Sequence, residues 1–277
     1  MTGPGARAAR LRPSLIALDV DGTLLTSRHQ LLGEVVSAVH RARRGGMEVV
    51  LASSRPPRAL WTVLEPLGLV SPAVFVASQG ALVGSYAPGG ALRVSESHPM
   101  PAPLARAVVG AALRAGVSPG WCAGERWLVP VVDDAIRTEA RIVACDPELA
   151  DLGAERDGPD KLLLLAPDAE PERLDGIEIP DGLVALRSTP THLEVTAAGV
   201  DKVGALSRLC AARGIPPDRV AAMGDGHNDL AMLGWAGTAI APANAAPDVL
   251  AVADIVTVGN DQGAVAEAIR LLLARDP

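Results

Sequence analysis

Short, unbroken apolar runs recur along this chain, and several end abruptly in acids, hydroxyls or glycine. Residues 15–18, 47–52, 73–77, 220–223 and 238–240 have the length and apolar continuity of strands buried on both faces. Between them the spacing becomes helical. Leu31, Leu32, Val35, Val36 and Val39 fall on one helix face, and Arg41, Arg43 and Arg44 before Gly45-Gly46 mark its C-terminus. Residues 56–67 and 203–213 read as further helices, the second stopped by Gly214 and Pro216, and two more are expected near Asp248 and Gly263. Strands alternating with helices predict an α/β fold, a doubly wound, Rossmann-like parallel sheet.

The middle of the chain breaks this rhythm. A hairpin-like stretch, 81–94, leads away from the core, and a helix is expected over 104–115. Short apolar runs at 127–132, 161–166 and 183–186 are separated by acidic and proline-bearing segments such as 155–160 and 167–171. This pattern predicts an inserted α+β domain over 85–189, with 1–84 and 190–277 forming the core.

Composition narrows the function. The chain has 277 residues, 49% hydrophobic and 21% charged, which suits a globular protein of two domains. A net charge of −7 and a pI near 5.3 argue against nonspecific nucleic-acid binding. Small phosphorylated substrates remain compatible, because local charges decide their binding. No run approaches the roughly 18 apolar residues of a membrane span. The stretch 1–14, with Arg7, Arg10 and Arg12, lacks the hydrophobic region of a signal peptide and reads as a frayed tail. Cys122, Cys145 and Cys210 are scattered and odd in number, suggesting no disulfide framework or zinc site and fitting a reducing cytoplasm. Nothing in the pattern specifies an oligomeric state.

The candidate chemistry lies where the strands end. Asp19-Val20-Asp21-Gly22-Thr23 follows the first apolar run, and residues two apart on an extended strand point the same way. Two carboxylates so close repel unless a cation lies between them, and a hard cation such as Mg²⁺ prefers such oxygens. A strand followed by an Asp-Gly turn is the plain alternative. A second acidic cluster, Gly224-Asp225-Gly226-His227-Asn228-Asp229, ends the run at 220–223. Ser53-Ser54-Arg55, followed by Pro56, ends the run at 47–52 and offers hydroxyls and N–H groups to an anion at a helix start. Ligands of open α/β sheets bind beyond the carboxyl ends of the strands, so the three endings point to one cleft.

Taken in order, these motifs resemble the haloacid dehalogenase superfamily of hydrolases, in particular the Cof-type (type IIB) phosphatases with a large cap. Asp19-Val20-Asp21-Gly22-Thr23-Leu24-Leu25 is similar to that family's first motif, and Ala52-Ser53-Ser54-Arg55 stands where it has Ala-Thr-Gly-Arg. Gly199-Val200-Asp201-Lys202 resembles its lysine motif, and Gly224 to Asp229 its Gly-Asp-Gly-x-Asn-Asp motif. Two departures stand out: serines replace Thr-Gly, and Gln79-Gly80-Ala81 replaces Asn-Gly-Ala. The resemblance implies a Mg²⁺-dependent phosphatase of small phosphorylated metabolites, sugar phosphates foremost, acting through an aspartyl-phosphate. It implies Asp19 as nucleophile and Asp21 as general acid and base. Asp19, the Asp21 carbonyl and Asp225 would hold the metal, with Asp229 helping directly or through water. Ser53, Ser54, Asn228 and Lys202 would bind the phosphoryl oxygens.

Other readings accompany these. A phosphomutase shares the aspartyl-phosphate, and a phospho-receiver or sensor module also gathers acids at strand ends. Asn244 either buttresses the acidic loop or sits in a turn. His227 faces solvent or packs, and His29, His40 and His98 have no partner the sequence identifies. Arg55 either holds the loop or touches substrate. Lys161 and Lys202 are the only lysines among 25 basic residues. Lys161, Trp121 and Trp127 are candidates for substrate contact in the cap; the plain alternative is that the tryptophans pack its core and Lys161 is solvated.

Overall fold

The computed structural model describes residues 12–275. Arg7 and Arg10 lie outside them; Ser14 is already tied down, its N–H donating to Arg219 O at 2.8 Å. The core is a five-stranded parallel sheet in the order Ile255–Thr257, Thr238–Pro242, Val220–Met223, Leu15–Leu18, Glu48–Leu51. The alternation of a strand assigns its residues to two cores. Ile16, Leu18, Val49, Leu51, Ala221 and Met223 pack one face against the helices Gly33–Arg44, Pro57–Leu64 and Ala264–Leu273. Leu15, Ala17, Val50, Ala52, Val220 and Ala222 pack the other against Lys202–Ala212, Leu230–Trp235 and Pro247–Val252. The sheet is thus doubly wound, and its central strands are apolar throughout because both faces are covered.

A bridge between Ala52 and Val76 adds Phe75–Ala77 beside the sheet edge, and this strand pairs with Leu82–Tyr86 and Leu92–Ser97 in an antiparallel trio. The hairpin expected to lead away therefore stays on the core, with Leu82 and Tyr86 buried in the first core cluster. The cap is a six-stranded sheet in the order Leu183–Thr189, His192–Ala197, Lys161–Leu165, Ser118–Ala123, Arg126–Val129, Glu148–Leu149. Residues 85–86 and 92–97 thus pair beside the core sheet, and His192–Ala197 pairs antiparallel to Lys161–Leu165 inside the cap sheet.

The cap sheet also has two faces. Trp121, Leu128, Leu162, Leu164, Leu193 and Val195 pack under the helix Ala102–Arg114. Cys122, Trp127, Val129, Leu163 and Leu165 lie on the opposite face with Ile136 and Val143 of the helix Asp134–Val143. Ala59 of the core helix Pro57–Leu64 joins that second cluster, so this face is turned toward the core. No helix of the described residues is long and apolar enough to cross a membrane.

Candidate active site

The carboxyl ends of the strands meet the cap across a cleft of about 420 Å³. Asp19 follows the buried strand Leu15–Leu18, and Lys202 begins the helix Lys202–Ala212, whose N-cap Asp201 accepts from Gly204 N–H at 2.7 Å. Lys202 is 1% exposed, and its Nζ donates to Asp19 Oδ1 at 2.5 Å and to Asp229 Oδ1 at 2.8 Å. Burial alone would lower the Lys202 pKa; the two carboxylates outweigh it and keep the ammonium charged. Asp229 also closes its own loop, its Oδ2 accepting from the N–H groups of Asp225 and Gly226, each at 3.1 Å.

Ligand oxygens of Asp19, Asp225 and Asp229 lie within 4.8 Å of one another. Burial, and then the Asp229 charge, pushes the Asp19 carboxyl well above the ordinary range, and burial pushes Asp225 up to about 6. One lysine therefore does not balance three converging carboxylates. An all-oxygen set with unrelieved negative charge suits a hard divalent cation such as Mg²⁺. Gly22 is required beside it: its φ is +77°, and a Cβ there would stand 2.3 Å from Asp225 Oδ2.

The Asp21 carboxylate has partners of its own. Arg55 Nε donates to its Oδ2 at 2.8 Å and Arg55 Nη2 to its Oδ1 at 2.6 Å, while His29 Nδ1 lies 3.4 Å from Oδ1. Burial works to raise the Asp21 pKa, but the hydrogen bonds from Arg55 and His29 outweigh it and hold the carboxyl well below its usual range. Ser54, Arg55 and Asn228 line the cleft. Ser53 is buried beneath it, with its Oγ accepting from Arg55 N–H at 3.1 Å.

From the cap, Lys161, Glu194 and Trp127 face the cleft. Lys161 is buried rather than solvated, and its Nζ donates to Glu194 Oε2 at 2.9 Å. Trp121, also a candidate for substrate contact, is not at the cleft. It sits one face away, fully buried in the cap core, because it precedes Cys122 on a strand whose next residue is the one facing the site.

Several site residues escape a reading of the sequence. Thr23 Oγ1 donates to Asp225 Oδ1 at 2.7 Å, joining the first and last acidic motifs. Glu194 binds Lys161 and also accepts from Gln79 Nε2 at 3.2 Å, so this glutamine spans from core to cap. His29 reaches Asp21 from a turn whose spacing carries no signal. Asn244 is a buttress: its Nδ2 donates to Gly22 O and its Oδ1 accepts from Asn260 N–H, both at 2.8 Å. His227 is exposed and pairs with Asp248, and His98 lies at the surface with Glu96 and Arg208.

Known proteins resemble this chain over most of its length. A model of the haloacid dehalogenase-like hydrolases matches residues 16–269. Phosphatase YwpJ of Bacillus subtilis is 29% identical, the match covering 94% of this chain and 99% of that protein. Putative phosphatase YxeH of the same organism is 30% identical, over 94% of this chain and 99% of its own length. A haloacid dehalogenase-like hydrolase from Bacteroides thetaiotaomicron superposes with a TM-score of 0.84 at 25% identity, covering 93% of this chain and 98% of that one.

Proposed function

This chain belongs to the haloacid dehalogenase-like hydrolases, with the inserted cap of the Cof type, and from that premise we propose that it is a phosphatase of small phosphorylated metabolites, sugar phosphates foremost. The observation that carries the reading is the buried Lys202 ammonium, held between Asp19 and Asp229 at the floor of the cleft.

Asp19 supplies the nucleophile. Its carboxylate oxygen forms the new bond to phosphorus as the ester P–O bond breaks, giving an aspartyl-phosphate and a free alcohol. Asp21, ionised at rest beside Arg55 and His29, must take up a proton before it delivers one to the departing oxygen, and then takes one from the water that hydrolyses the acyl phosphate. Lys202 balances the charge of the phosphoryl oxygens, with Ser53, Ser54 and Asn228 as hydrogen-bonding partners. Arg55 and His29 position Asp21. Asp19, Asp225, the Asp21 carbonyl and, directly or through water, Asp229 would hold Mg²⁺. When bound, the cation would neutralise charge on the transferring group and align it with the nucleophile.

The test is to assay the purified protein with Mg²⁺ against a panel of phosphate monoesters, with p-nitrophenyl phosphate as a general probe. Release of inorganic phosphate by the wild type and its loss in Asp19→Asn are expected. No release from any ester would overturn the reading.

A further inference from the structure

The cap strand Lys161–Leu165 reads Lys-Leu-Leu-Leu-Leu, and its one charged residue is 3% exposed. Its partner Glu194 is 5% exposed, on a neighbouring strand between Leu193 and Val195. Taking two ions out of water costs several kcal/mol each before their attraction is counted, and apolar residues of similar size at such positions are commonly as stable or more so. Packing therefore does not explain the pair, whereas its position does: both side chains line the cleft opposite Asp19 and Asp21. Both are ionised. For each, burial opposes the charge, but the partner outweighs it, raising the Lys161 pKa and lowering that of Glu194.

An ammonium has three donors. Among the described residues Glu194 is the one hydrogen-bond partner of Lys161 Nζ, which leaves donor capacity beside the indole of Trp127 and the side chain of Leu163. The charge of the pair is spent internally, as are other charges on the cleft wall. Arg55 is matched by Asp21, and His192 Nε2 lies 3.2 Å from Glu139 Oε2. The wall thus offers hydrogen bonds and an aromatic face, but no surplus positive charge.

We propose that the Lys161–Glu194 pair recognises the leaving group, and that it selects monophosphates whose alcohol carries neutral oxygens, such as hydroxyls or a carbonyl, over apolar esters and over bisphosphates. This rests on the phosphatase reading above and narrows it. The neutral oxygen accepts from Lys161 while the apolar ring edge lies on Trp127. A second phosphate would meet an ammonium already neutralised by Glu194 and would remain uncompensated.

The test compares kcat/KM for hexose, pentose and pyridoxal monophosphates with their deoxygenated counterparts, such as cyclohexylmethyl and benzyl phosphate, and with a hexose bisphosphate. Lys161→Met/Glu194→Gln removes the ammonium without leaving a lone buried carboxylate, and thermal unfolding checks that it folds. The double variant should lower the oxygenated-to-deoxygenated ratio by roughly ten- to hundredfold, the scale of a hydrogen bond to a charged group. Glu194→Gln alone should raise the bisphosphate-to-monophosphate ratio about tenfold, by unmasking the ammonium; a purely structural pair would not do this. If the wild type hydrolyses p-nitrophenyl phosphate but both ratios stay put, or if it prefers no oxygenated ester, the recognition role fails while the phosphatase reading stands. If a variant fails to fold, the wild-type preferences alone decide: equal or better use of bisphosphates overturns the proposal.

Discussion

The Arg55 guanidinium grips both oxygens of Asp21 while itself only 4% exposed, so the carboxylate is held by a buried fork. Arg55→Met should raise the Asp21 pKa toward its unfolded value of 3.8, measurable by carboxyl-carbon NMR titration. A depressed pKa stabilises the fold above the unfolded value, and that stability is lost as pH falls through the folded one. The variant should therefore be less stable than wild type at neutral pH, with a deficit that shrinks only below about pH 4. An unmoved titration would show that the fork does not set the charge of Asp21.

Asp19→Asn should retain the fold and lose at least about 10³-fold in kcat, because an amide of the same shape cannot attack phosphorus. Rapid quench of the wild type should place the phosphoryl group on Asp19. Substantial turnover by the purified variant would rule out the covalent route.

Metal binding should depend on pH. The Asp225 pKa, pushed up to about 6 from 3.8, means that the metal-free fold holds this proton more tightly than the unfolded chain does. Its stabilising effect is complete below the unfolded value and is lost as pH rises through about 6. A cation competes with that proton, so Mg²⁺ should raise Tm more at about pH 7.5 than at about pH 5. Equal shifts at both would show that the acidic cluster is not where the cation acts. Activity should disappear in excess EDTA, and Ca²⁺, with its larger and looser coordination, should not restore it.

Gly22→Ala forces a side chain into a left-handed backbone and into the Asp225 carboxylate. It should cost about 1–3 kcal/mol of stability. It should also cut kcat, since relief of the clash must displace Asp225. Retention of both would mean that the loop relaxes without moving the acid.

The two cap tryptophans should behave oppositely. Trp121→Ala empties a site of zero exposure and should destabilise the protein by about 3–5 kcal/mol without changing the ranking of substrates. Trp127→Leu keeps an apolar filling and should alter the ranking, read as relative kcat/KM.

The core was legible because its chemistry is collinear with its strands: each acidic or hydroxyl motif directly ends an apolar run. The cap was less so. Ser118–Ala123 contains Pro119 and Gly120, which read as breakers, yet Gly120 serves the strand because a Cβ there would come within 2.4 Å of the Trp127 indole nitrogen. The helix Asp134–Val143 has a true N-cap, Asp133 accepting from Ile136 N–H at 2.9 Å, but its start follows Pro130 and a pair of acids that resemble a loop. His192–Ala197 looked like the return to the core because it adjoins the lysine motif. Its pairing partners, distant in sequence, place it in the cap instead. Trp121 and Trp127 differ in role by strand parity, and parity needs a register that the sequence alone did not supply.

The two-sided cap sheet has an evolutionary consequence. Leu162, Leu164 and Val195 hold the sheet to its outer helix, while Lys161, Leu163 and Glu194, on the same strands, face the cleft. Inheritance can therefore act on the two sets almost independently. If the inward positions select the leaving group as proposed, drift there would explore new phosphate esters while the outward positions keep the domain folded, so a lineage could change its diet one residue at a time without passing through an unfolded ancestor.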